Sequence, residues 1–130
     1  MQRKDVMIYY NDTQSPQTGV PGGAWHGALQ PGYGGDNGRS ESAGSVEMGP
    51  ELGLGWALGD ALKAPVLLIK TAWGGKSLNK DFRPPSSGGE VGPFYLKLIE
   101  EVRYVLANLP ELFPGGASAG GFELSGLFWH

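Results

Sequence analysis

Residues 64–78 read Ala-Pro-Val-Leu-Leu-Ile-Lys-Thr-Ala-Trp-Gly-Gly-Lys-Ser-Leu, and the fold turns on them. Within this stretch Val66–Ala72 is apolar at nearly every position, the pattern of a strand covered on both faces, as in the parallel sheets of α/β proteins. A glycine pair, Gly74–Gly75, follows at the carboxyl end of that strand. Downstream, Phe94, Leu98, Val102, Val105, Leu106 and Leu109 recur at three- and four-residue spacing, which predicts an amphipathic helix over 92–109. Lys97, Glu100, Glu101 and Arg103 then belong to its outer, solvated face. Pro93 near the start and Pro110 just past the end suit the two boundaries. With a further apolar run at Leu124–Trp129, the order strand, helix, strand predicts a right-handed crossover unit.

Working upstream, Val6–Tyr10 reads as another strand and Pro50–Leu62 as a second helix, with Pro50 at the first helical position and Glu51 in the first turn. Gly53, Gly55 and Gly59 each cost that helix about 1 kcal/mol relative to Ala, so they are expected to permit close packing against a strand. Residues 11–48 are rich in Gly, Ser, Asn and Gln without a period, and are expected to form a long surface excursion that includes His26. The chain therefore reads as one α/β domain over 1–130, its βαβ core lying in 49–130.

Bulk properties narrow the function. With 130 residues and 40% hydrophobic content the chain is large enough for one buried core. Its 23 glycines far exceed the usual share of about 7%, so connections are long. A net charge of -3 with no basic run argues against nucleic acid as a partner. No segment approaches the roughly 18 apolar residues of a membrane span, and the first residues lack the apolar stretch of an export signal. Zero cysteines exclude a disulfide scaffold, a thiolate metal site and a cysteine nucleophile.

Three motifs have dull as well as sharp readings. The Gly-Gly-Lys-Ser of residues 74–77 lacks the earlier glycine that a phosphate-binding loop requires, since Lys70 stands there. Gly116–Gly120, with Ser118 central, matches the letters of a nucleophile elbow, but it follows a helix and precedes a strand, the reverse of what that elbow needs. Neither His26 nor His130 has a carboxylate or a second His at ligand spacing, so no metal or cofactor is expected. Gly74 and Gly75 keep two readings. Beyond the tip of a parallel strand their amides can face a developing oxyanion, or the pair can simply serve a tight turn at positive φ.

The stretches MGPELGLGWALGDAL, APVLLIKTAWGGKSLNKDFRPPSSGG, VGPFYLKLIEEVRYVLANLPELFP and GFELSGLFWH, in this order from Met48 onward, resemble the middle of the sialate O-acetylesterase-like carbohydrate esterases (SASA domain) of the SGNH hydrolase superfamily, found widely in bacteria. WGGKSL followed by DFRPP is the most specific part, and KDVMIYYN and Pro31–Gly34 resemble the family's lead-in. The resemblance implies a three-layer α/β/α sandwich on a parallel sheet, here incomplete, and serine-dependent hydrolysis of acetyl esters on sugars. It implies that Gly75, with Gly74 beside it, supplies an oxyanion-binding N–H, and that Trp73, Lys76, Asp81 and Arg83 line a sugar pocket, Trp73 as a stacking face. For Asp81 and Arg83 a loop-fixing ion pair is the alternative. Glu51 is expected either near the nucleophile loop or as helix-dipole support. The family's Gly-Gln-Ser-Asn nucleophile motif, its Trp-x-Gln-Gly amide donor and its Asp-x-x-His block do not occur in these residues. The expectation is therefore an internal fragment of an exported or periplasmic esterase, inactive alone, or a noncatalytic carbohydrate-binding module on the same scaffold.

Overall fold

The computed structural model describes residues 2–16, 24–34, 47–115 and 121–130. Strands β1 (Arg3–Asn11), β2 (Ala24–Leu29) and β3 (Val66–Lys70) and helices α1 (Pro50–Leu62), α2 (Pro93–Ala107) and α3 (Leu109–Leu112) make a small α/β unit, with a 3₁₀ turn at Pro85–Ser87. The sheet order is β2-β1-β3. β1 and β3 run parallel, Val6 opposite Val66 through Tyr10 opposite Lys70, whereas β2 is antiparallel to β1. The sheet is mixed, not the wholly parallel one expected.

Strand alternation divides the core. Val6, Ile8 and Tyr10 of β1 join Leu29 and Tyr33 in one cluster, covered by Leu52 and Trp56 of α1. On the other face Tyr9 joins Val105 and Phe113, with Met7, Leu67 and Ile69 from the strands and Leu109 and Leu112 from α3. Period-two alternation along β1 and β3 thus sends even-numbered residues toward α1 and odd-numbered ones toward α2 and α3.

α1 has the bounds its sequence implies, and the role of its glycines is now specific. A methyl on Gly55 would overlap the Leu29 side chain and sit 3.0 Å from Leu68 and 3.3 Å from Val6, so α1 touches all three strands through this one position. Gly59 leaves room for the Arg3 guanidinium, which bonds Asp60, Asp5 and the Trp56 carbonyl. Gly53 faces open space.

Two expectations fail here. The excursion over 11–48 contains β2, in which His26 is a strand residue lying 6.4 Å from the Tyr9 ring and 5.7 Å from that of Phe113. Gly27, at φ +151, and the lack of β-branched residues hide this strand from pattern reading. Leu124–Trp129 forms no strand. It is exposed coil whose ring contact is Trp129 against Phe82, so the crossover unit is not closed among the described residues. A strand exists only through a neighbour's ladder, and Gly126 weakens this run's claim to one. The Gly116–Gly120 motif lies outside the described residues.

Within one helix, two glycine substitutions should act in opposite directions. Gly53→Ala should raise stability by about 0.5–1 kcal/mol through helix propensity. Gly55→Ala should lower it by about 1–3 kcal/mol, because Leu29, fully buried, has nowhere to move. Urea unfolding midpoints of the two variants check both signs.

Candidate functional site

In an open α/β sheet ligands lie beyond the carboxyl ends of parallel strands, and here two loops leave that end, one after Asn11 and one after Lys70. Gly74 and Gly75 occupy a turn in the second loop, both exposed, Gly75 at φ +69 with open space where a Cβ would stand. Neither amide donates to another described group. The turn is fixed on both sides. Upstream, Trp73 is buried and its indole N–H donates to the Asn11 carbonyl at 2.9 Å. Downstream, the Asp81 carboxylate accepts the Ser77 amide at 2.8 Å and the Ser77 hydroxyl at 3.2 Å. The Ser77 amide bond is the largest influence holding the Asp81 carboxyl below the ordinary carboxylate range.

The same residue anchors α2. The Asp81 carbonyl accepts the amides of Phe94 and Tyr95, two of the four N–H groups a helix start leaves unsatisfied. A side chain on Gly92 would strike that carbonyl and the Arg83 amide, so glycine is required where the loop crosses the helix.

Of the expected sugar pocket, only part is open. Trp73 is no stacking platform. Its ring is packed against Phe82 at 6.1 Å and Phe94 at 5.4 Å, and the Lys97 ammonium lies 4.3 Å from its centroid. Asp81 and Arg83 do fix the loop, but not as partners of each other. Arg83 donates to the Asn79 carbonyl, the Asn79 side chain and the Gly88 carbonyl. Lys76 is half-buried, its ammonium 4.7 Å above the Phe94 ring, one residue past the glycine pair. Glu51 belongs to the opposite side of the sheet, where it accepts the Gly49 amide at 3.1 Å and pairs with Lys70 at 3.2 Å. Lys70 also donates to the Tyr33 carbonyl and lies over Tyr10, so Glu51 does more than oppose a helix dipole.

Pattern reading assigned Lys97 and Glu101 to solvent, and the structure buries both. Exposure is 0% for Lys97 and 1% for Glu101, and the inward stripe of α2 is Phe94, Lys97, Glu101 and Val105. The Asn11 amide donates to one Glu101 oxygen at 2.7 Å and the Tyr9 hydroxyl to the other at 3.2 Å. Lys97 donates to the carbonyls of Thr13 and Ser15, the latter at 2.8 Å. Burial raises the Glu101 carboxyl above its ordinary value, against the bonds from Asn11 and Tyr9 that lower it. Burial likewise lowers Lys97, opposed by the charges of Glu101 and Asp12. The Tyr9 phenol is pushed up, chiefly by burial and then by the Glu101 charge. The signal in the sequence is the spacing 94, 97, 101, 105, which continues one helical stripe through two charges.

Among the described residues no group of three His, Asp or Glu side chains is placed to hold a metal, and no helix is long and apolar enough to cross a membrane. Compared with family models, curated proteins and solved structures, the chain shows no match.

The raised Glu101 value fixes a sign. The folded state holds that proton more tightly than the unfolded chain, so the stability it contributes is full below the unfolded value of 4.5 and is lost as pH rises through the folded value. Glu101→Gln keeps an acceptor for Asn11 and offers an N–H to the Tyr9 oxygen without a charge. Urea unfolding between pH 4 and 8, values chosen to bracket roughly the carboxylate range, should show wild-type stability falling relative to Glu101→Gln as pH rises. A constant difference between the two proteins would contradict the assignment.

Proposed function

We propose that this chain is part of a serine-type carbohydrate O-acetylesterase, in which the Gly74–Gly75 turn supplies backbone donors to the oxyanion formed when an acetyl ester on a sugar is attacked. The observation that carries this reading is the pair of exposed, unbonded amides at the carboxyl end of a strand in parallel pairing, held between a buried Trp73 and the Ser77–Asp81 turn. Donors fixed before the reaction need no reorganisation as charge develops, and losing one such donor typically costs about 3 kcal/mol of transition-state stabilisation. Lys76 adds positive charge beside the turn. In this reading the helices on the two sides of the sheet belong to a three-layer α/β/α sandwich, and the serine, histidine and aspartate come from outside these residues.

A second reading is a noncatalytic carbohydrate-binding module on the same scaffold, in which the exposed Gly74–Gly75 amides donate to sugar oxygens and no nucleophile is needed.

Acetate, as an oxyanion probe, tests the first reading in the isolated chain. Saturable downfield movement of the Gly74 and Gly75 amide protons on titration is expected, with Gly74→Pro, which removes one N–H, abolishing it. Amide resonances indifferent to acetate would defeat the oxyanion role. The module reading instead predicts saccharide binding, with no turnover of p-nitrophenyl acetate even when a serine-bearing segment is joined to the chain.

A further inference from the structure

A lysine is almost never wholly buried unless it is paired, and Lys97 is wholly buried with no ion pair among the described residues. Its charge is met by dipoles and aromatic faces. Two of its N–H bonds go to the carbonyls of Thr13 and Ser15, and the ammonium lies 4.3 Å from the Trp73 centroid and 5.6 Å from that of Phe94. Those contacts belong to two different loops. Thr13 and Ser15 follow β1, in a turn shaped by the Thr13 amide donating to the Asn11 side chain at 3.1 Å. Trp73 follows β3 and is bonded back to the Asn11 carbonyl, which closes a ring through Lys97, Thr13, Asn11 and Trp73. Gly74 is the next residue in the chain.

We propose that Lys97 is a positioning residue, which ties the loop after β1 to the loop after β3 and thereby sets the placement of the Gly74–Gly75 amides from a side chain that touches neither. Its importance for function rests on the oxyanion reading above. The tie itself does not, because it concerns only the order of the two loops. The ammonium is indispensable to this geometry in a way that a packed apolar side chain is not: methionine of similar length would take the ammonium's bonds away from the Thr13 and Ser15 carbonyls and remove the cation from the Trp73 face. The groups around Lys97 are Glu101 one turn along α2 and Asp12 after β1, which favour its charge, and Lys76 after β3, which opposes it. Asn11, Tyr9 and Glu100 act on Glu101 in turn, and Tyr104 acts on Tyr9.

The chain's tryptophans provide the test. Trp73 reports on the loops directly; Trp25 and Trp56 both pack in the cluster on the opposite face of the sheet, but Trp25 also donates to Asp12 at 3.3 Å and so senses the loop after β1, whereas Trp56 does not. In wild-type protein, the Trp73 ring carbons and the Thr13 methyl should titrate together with a midpoint below that of an ordinary lysine, while Trp56 stays fixed. Lys97→Met should remove that titration, shift the Trp73 and Trp25 indole resonances toward their solvent-exposed positions, and merge or broaden the Gly74 and Gly75 amide signals. Lys97→Arg, which keeps the charge, should hold Trp73 closer to its wild-type position than Lys97→Met does. Trp73 and Thr13 signals that ignore pH in the wild type would overturn the proposal, as would Lys97→Met leaving both loops unchanged. Should Lys97→Met fail to fold, the wild-type titration decides alone. If acetate leaves the glycine amides unmoved while Trp73 and Thr13 titrate as described, the esterase reading falls and the tie stands.

Discussion

Two charges on one helix are held against the interior of the sheet, and the arrangement of both loops at its carboxyl end follows from how those charges are satisfied. Glu101 takes one hydrogen bond from each of two β1 residues on the same face, Tyr9 and Asn11. Lys97, one turn nearer the N-terminus of α2, reaches past the strand end to the carbonyls of Thr13 and Ser15. The helix therefore does not simply cover the sheet. It reads the strand's last polar residues and then the loop beyond them, which sets where β1 stops.

Such an arrangement is expensive compared with a leucine stripe. Removing a charge from water costs several kcal/mol even after the protein relaxes, and paired buried charges often stabilise no more than apolar residues of the same size. What they provide is selectivity of geometry. An apolar α2 could slide or rotate on Met7, Leu67 and Ile69 with small losses, whereas displacement would leave the Glu101 oxygens and the Lys97 ammonium without partners in a low-dielectric setting. Every described buried side-chain nitrogen and oxygen has a partner, as a network that works by this logic requires.

How far the fold could be read from the sequence depended on whether a segment's neighbours were in the segment itself. Both long helices were legible because their boundaries are local chemistry: Pro50 and Pro93 at the first turns, and the apolar spacing between. β3 was legible from its nearly continuous apolar run, although it ends at Lys70 and not at Ala72. β2 was not, because Trp25, His26 and Gly27 form a strand only by lying opposite Tyr10, Tyr9 and Ile8. Leu124–Trp129 shows the converse, strand-like in composition yet without a ladder. In the site, the glycine turn was legible by position, but the inward side of α2 was not. Hydrophobicity assigned Lys97 and Glu101 to water, and only the polar ends of β1 make their burial tolerable.

The glycine turn shows what this construction can accomplish. A loop with two unbonded amides ordinarily samples many orientations, since glycine loses more freedom on ordering than any other residue. Here the freedom is confined to the three residues Gly74, Gly75 and Lys76. Trp73 is anchored by its indole bond, by Phe82 and Phe94, and by the ammonium against its ring, while Ser77 is anchored to Asp81, whose own carbonyl holds the first turn of α2. α2 thus restrains the turn from both sides, through Lys97 on one and through its N-terminal amides on the other. Because a short chain between two fixed points has few conformations, the unbonded N–H groups can be restricted to few orientations without any bond of their own, as the proposed oxyanion donors require.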